Sequence, residues 1–83
     1  MHESHPANSK RLKRAQGHLR KVVEMLEENK PCFQIAQQLQ AVVNALNNAK
    51  KVLIIDHVEH CLLNKCSEDD KTIEELKEIV KYL

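Results

Sequence analysis

The sequence predicts an all-α protein of three helices, short, long and short, and three observations carry that prediction. One glycine and two prolines are spread over 83 residues, so long stretches run without punctuation. Apolar residues recur at steps of three and four, the spacing of one helix face. No stretch of useful length alternates apolar and polar residues as a half-buried strand would.

In the first element Leu12, Ala15, Leu19, Val22 and Leu26 lay an apolar stripe along a helix of roughly residues 7–28, preceded by a flexible tail at 1–6. Gly17 falls inside it, at about 1 kcal/mol relative to Ala. It marks either close approach of another backbone or ligand, or a glycine that is merely tolerated. Asn29-Lys30-Pro31 then reads as a break, with Asn29 or Lys30 as cap and Pro31 in the first turn of the next helix, where a missing N–H does no harm.

The second element repeats Ile35, Leu39, Val42, Leu46, Ala49 and Leu53, and nothing stops it before about Asn64. Such a helix of ~30 residues is ~45 Å long, more than an 83-residue globule can cover. Ser67 to Asp70 form an acidic break with caps at Ser67 or Asp69, and Ile73, Leu76, Ile79, Val80 and Leu83 give a short third helix. The chain is one domain, 1–83, whose long helix must pack against other chains. A monomer of this size buries only about 60–65% of its unfolded surface, which also favours oligomers.

The net charge of +1 hides an asymmetry: residues 1–30 carry seven Lys/Arg against four acids, and residues 52–83 carry four Lys against eight acids. The basic end is suited to a polyanion. An odd cysteine count of three, with no charged and apolar leader at the start, sets the expected compartment as the reducing cytosol. No apolar run approaches the ~20 residues that cross a bilayer, so no membrane partner is expected. No nucleophile-base-orienter set, glycine-rich phosphate loop or open catalytic metal site is recognisable, so the chain is not read as an enzyme.

The stretch Asp56-His57-Val58-Glu59-His60-Cys61 carries ligand chemistry. His57 and Cys61, four apart, share a helix face with side chains ~5–6 Å apart and can bite one ion together. A third donor, Cys32, lies twenty-five residues before His57, ~38 Å along the same helix. One chain cannot close that triangle. Two long helices packed antiparallel bring Cys32 of one chain to His57 and Cys61 of the other and create two equivalent Cys-His-Cys sites about a two-fold axis.

Two thiolates and an imidazole suit Cu(I), Zn(II) or Ni(II). The plainer reading is of buried cysteines and a chance His/Cys pair. His60, displaced around the helix from His57, faces solvent or supports a ligand without binding the ion itself. Cys66 falls in the acidic break outside any matching spacing, and His2 and His5 lie where either could swing in as a fourth ligand.

Lys10, Arg11, Lys13, Arg14, Arg20 and Lys21 crowd the first helix, and Lys50 and Lys51 lie midway along the second. Such a cluster can neutralise phosphates with strong salt dependence; a solvated polar face is the alternative. No helix-turn-helix spacing is present.

Arg11-Leu12-Lys13-Arg14-Ala15-Gln16-Gly17-His18-Leu19, Cys32, Gln37-Gln38-Leu39 and Asp56 to Cys61 together resemble the copper-sensitive operon repressor / nickel-cobalt repressor (CsoR/RcnR) family over nearly the whole chain. The start at His2, His5 and Pro6 and the ending Ile73 to Leu83 are most similar to its nickel-resistance branch. The resemblance implies an all-α homotetramer, a dimer of antiparallel dimers, that binds operator DNA without metal and releases it on binding Ni(II), Co(II) or Cu(I), so that efflux genes are transcribed. It assigns Cys32 from one protomer with His57 and Cys61 from the other, and His2 or His5 as the added nickel or cobalt ligand. It maps the basic surface onto Arg11, Lys13 and Arg14, then Arg20, Lys50 and Lys51.

Copper members of the family have a Tyr before the first Cys, where this chain has Pro31, and a Glu in the last helix that with it supports the ligands, for which Glu75 is the counterpart. Formaldehyde or persulfide sensing through Cys32 and Cys61 is an alternative within the family, and a metal-binding bundle that never touches DNA is one outside it.

Overall fold

The computed structural model describes residues 4–63 and 70–83, with side chains described at 4–60 and 73–83. Three helices follow in order, α1 (His5–Glu27), α2 (Cys32–Leu63) and α3 (Asp70–Val80), and there is no strand among the described residues. His2, Cys66, Ser67 and Asp69 lie outside them.

Helix α1 starts at His5, inside the expected tail of residues 1–6 and two residues before the expected start. Pro6 is the cause: its fixed φ suits a first turn whose N–H groups need no partner in the helix. The turn is closed by the Asn8 N–H, which donates to the Ser4 carbonyl at 2.9 Å. At the other end Asn29 takes the left-handed conformation, φ 56°. The Lys30 N–H reaches back to the Met25 carbonyl at 3.0 Å and the Asn29 N–H to Leu26 at 3.2 Å, the paired bonds of a Schellman cap.

The sequence placed the cap of α2 at Asn29 or Lys30; the structure moves it to Pro31. The Pro31 carbonyl accepts from the Ile35 N–H at 3.1 Å, and Cys32, not Pro31, opens the helix. Asn29 instead terminates α1. Helix α2 then runs 32 residues without a break, ~48 Å at 1.5 Å per residue, and dominates a molecule 55 Å long and 14 Å thick.

Helices α1 and α2 pack as an antiparallel hairpin, and among the described residues α3 packs against α2. The buried positions on α1 are Asn8, Ala15 and Val22, each seven residues from the next, and those on α2 include Ile35, Val42 and Ala49, again at seven. Val22, Ile35 and Val42 form the hairpin's apolar cluster with Met25 against them. At the far end Asn8 Nδ2 donates to the Ala49 carbonyl at 3.0 Å. On α3 Ile73, Leu76 and Ile79 are half-buried.

The apolar stripes expected from the sequence are therefore two rows. Leu12, Leu19 and Leu26 on α1 and Leu39, Leu46 and Leu53 on α2, all between 40% and 58% exposed, form a second set of seven-residue rows beside the buried ones. Leu12 and Leu53 line one cleft, and the same antiparallel step matches Leu19 with Leu46 and Leu26 with Leu39. One broad face of the hairpin is thus a leucine ladder open to solvent.

Candidate metal centre

Because α2 is one unbroken helix, Cys32 and His57 stand at its opposite ends, ~38 Å apart. Within one chain no three His, Cys, Asp or Glu side chains converge among the described residues. Cys32 is an exposed free thiol in the first turn. It lies seven residues before Leu39, so Cys32, Leu39, Leu46 and Leu53 occupy one row, and His57, four past Leu53, continues it. The candidate ligands share the helix side that carries the leucine ladder.

His57 and its neighbour Asp56 are half-buried. Cys61 lies in α2 one turn beyond His57, its side chain outside the described ones. His5 lines a cleft with Asn8, Leu12, Lys13 and Leu53, which brings it to the His57 end of the hairpin, one turn of α2 from His57. His60 is half-buried in the last turn of α2. Glu75 is exposed on α3, in a shallow cleft with Glu74, Glu78 and Tyr82.

The donor set fits a soft or borderline transition ion: a thiol open to a partner, an imidazole on the same row and a second cysteine four residues on. Cys32, His57 and Cys61 would be the residues that hold it.

The basic residues divide. Arg11, Arg14 and Lys51 come together, with His18 and Asn48, along a groove between α1 and α2 whose floor is Ala15, Ala45, Val52 and Ile55. Leu53 is absent from this groove, which lies on the other flank of the hairpin from the Leu12 and Leu53 cleft. Lys13 lines the His5 cleft, while Arg20 and Lys50 are exposed outside both.

Sequence reasoning missed two polar links that set the hairpin. Asn8, 6% exposed, sits seven residues before Ala15 in the buried row, a signal visible in the spacing but passed over because the residue is polar. The Gln38 Oε1 accepts from His18 Nε2 at 2.7 Å, tying α1 to α2 across twenty positions of sequence; nothing in the local pattern announces it.

The sequence profile of the family described as "Metal-sensitive transcriptional repressor" matches residues 4–82. The chain belongs to that family, whose members are transcriptional repressors and not enzymes. Its curated relatives include the copper-sensing transcriptional repressor RicR of Mycobacterium tuberculosis, 35% identical over 72% of this chain and 62% of RicR. The copper-sensing transcriptional repressor CsoR of Mycobacterium ulcerans is 35% identical over 87% of this chain and 63% of its own length. CsoR of Bacillus subtilis is 34% identical over 86% of this chain and 72% of its length. The chain thus spans less than two thirds of the mycobacterial relatives. Among solved structures, the nickel-responsive transcriptional regulator InrS superposes with a TM-score of 0.83 at 32% identity, over 100% of this chain and 97% of InrS. Among the described residues no helix is long and apolar enough to cross a membrane.

Proposed function

We propose that this chain is a metal-responsive repressor acting in the cytoplasm as a homo-oligomer, which holds operator DNA when metal-free and releases it when Ni(II) binds between chains. The observation that carries the reading is the shared row of α2: Cys32 and His57 flank the exposed leucines at opposite ends of one rigid helix. A second copy laid antiparallel on that face covers the leucines and brings its Cys32 to His57 and Cys61. Burying the apolar ladder stabilises the pairing that assembles the site.

For DNA, the groove bearing Arg11, Arg14 and Lys51 lies away from the Leu12 and Leu53 cleft, so a paired assembly keeps it open to phosphate. Arg20 and Lys50, exposed outside both clefts, are further cations available to DNA, and Lys13 adds one from the His5 cleft.

Nickel is favoured by the InrS likeness, which covers both chains almost end to end, and by His5 near the His57 end, where it or His2 supplies a fourth ligand. Cu(I) is the second reading, favoured by the copper-sensing relatives and served by the trigonal Cys32, His57 and Cys61 set. Co(II) and Zn(II) are further candidates.

The test is complementation between two inactive variants. Cys32→Ala and His57→Ala chains each lose the thiolate-to-nickel absorption when titrated anaerobically. Refolded together, each mixed antiparallel pair carries one site with both native residues, and the absorption returns. A mixture that stays colourless rules out the intersubunit site.

A further inference from the structure

The only glycine of the chain stands in the middle of a 23-residue helix with no structural use inside the hairpin. Gly17 does not adopt positive φ, and a Cβ built on it meets no atom within 4 Å. The fold would accept alanine there. Its four neighbours on the helix surface, at i−4, i−3, i+3 and i+4, are Lys13, Arg14, Arg20 and Lys21, all exposed. A bare turn of backbone is therefore ringed by four cations.

We infer that Gly17 is a phosphate seat, the point where the backbone of bound DNA comes closest to α1, with the glycine removing the side chain that would hold it away. This deepens the repressor reading and rests on it. A second copy on the leucine face does not explain the glycine, because Leu19, two residues on, points ~200° around the helix. Lys10, seven residues before, extends the positive surface, while Glu24, seven residues after, ends it and sets the direction in which a phosphate strand can run. Arg14 belongs both to the ring and to the groove of Arg11, His18 and Lys51, so the seat opens onto the rest of the basic surface. A phosphate at this place meets guanidinium and ammonium donors from both sides and no hydrophobic surface, which is the chemistry of backbone positioning, not base reading.

The experiment compares the metal-free wild type with Gly17→Ala and Gly17→Leu, using a duplex from the region upstream of the chain's own gene and following binding by fluorescence anisotropy at two salt concentrations. Both variants keep or raise the wild-type Tm, since each adds a stronger helix former at an open position. DNA affinity falls at least ~5-fold for Ala and further for Leu, with a shallower salt dependence as contacts from the ring are lost. Variants that bind within twofold of wild type overturn the assignment of Gly17 while leaving the repressor reading in place. A wild type that binds no duplex in any metal state overturns the repressor reading itself.

Discussion

Asn29 carries the sharpest demand that the fold makes on a single side chain. It closes α1 in the left-handed region at φ 56°, where a Cβ is costly for most residues and asparagine is among the few that settle. Asn29→Gly should keep or slightly raise stability, while Asn29→Ala should cost about 1 kcal/mol, read as the difference in Tm between the two variants. An alanine variant as stable as the glycine one would mean that the cap relaxes without penalty. Asn8 makes a different demand, because its amide donates to the Ala49 carbonyl from a buried position at the open end of the hairpin. Asn8→Ala removes that bond and leaves a void beside Ala49. The expected loss is about 1–2 kcal/mol in thermal or denaturant unfolding, with metal affinity following only as far as the His5 end loosens.

At the scale of the element, the sequence located all three helices and the break between the first two, because the Asn29-Lys30-Pro31 stretch and the three-four period are local signals. It also placed Cys32 and His57 at opposite ends of one long helix, and α2 runs unbroken between them. What it could not separate were two adjacent rows of one stripe. Toward the open end of the hairpin the row that closes α1 on α2 holds small or polar residues, Asn8, Ala15 and Ala49, and toward the turn it holds Val22, Ile35 and Val42. The larger leucines lie one turn on and point past the neighbour. Periodicity counts apolar residues and does not say which row finds its partner within the chain; only the packing of α1 decides that. The consequence is testable at Leu46, near the middle of the exposed α2 row. Leu46→Asp puts a charge where a second copy should bury a leucine and should shift sedimentation from oligomer toward monomer, while helicity by circular dichroism stays near wild type because Leu46 faces away from the hairpin core. An unchanged oligomer would place the interface elsewhere.

The whole molecule is built to be incomplete alone. A folded monomer of 9.6 kDa is expected to expose about 5,100 Å², so the 6708 Å² observed leaves an excess of roughly 1,600 Å². Its radius of gyration, 17.2 Å, compares with about 12 Å for a compact domain of the same length. The hairpin's leucine face, uncovered among the described residues, contributes to both departures. If its cover is a second copy, metal binding and assembly are linked: an ion held by Cys32 of one chain and His57 of another binds only the paired state, so it must tighten the pair by mass action. Apparent Ni(II) affinity should then fall as the protein is diluted through its dissociation range, and saturating Ni(II) should move that range to lower protein concentration by the same free energy. Leu46→Asp makes the effect accessible, because it brings the dissociation range up to concentrations at which absorption is measurable. In that variant, nickel should restore the sedimentation of the larger species, and Cys32→Ala placed in the same background should abolish the restoration. If nickel binds the dilute monomer as tightly as the concentrated protein, the site is complete within one chain, and the leucine face serves assembly without serving the metal.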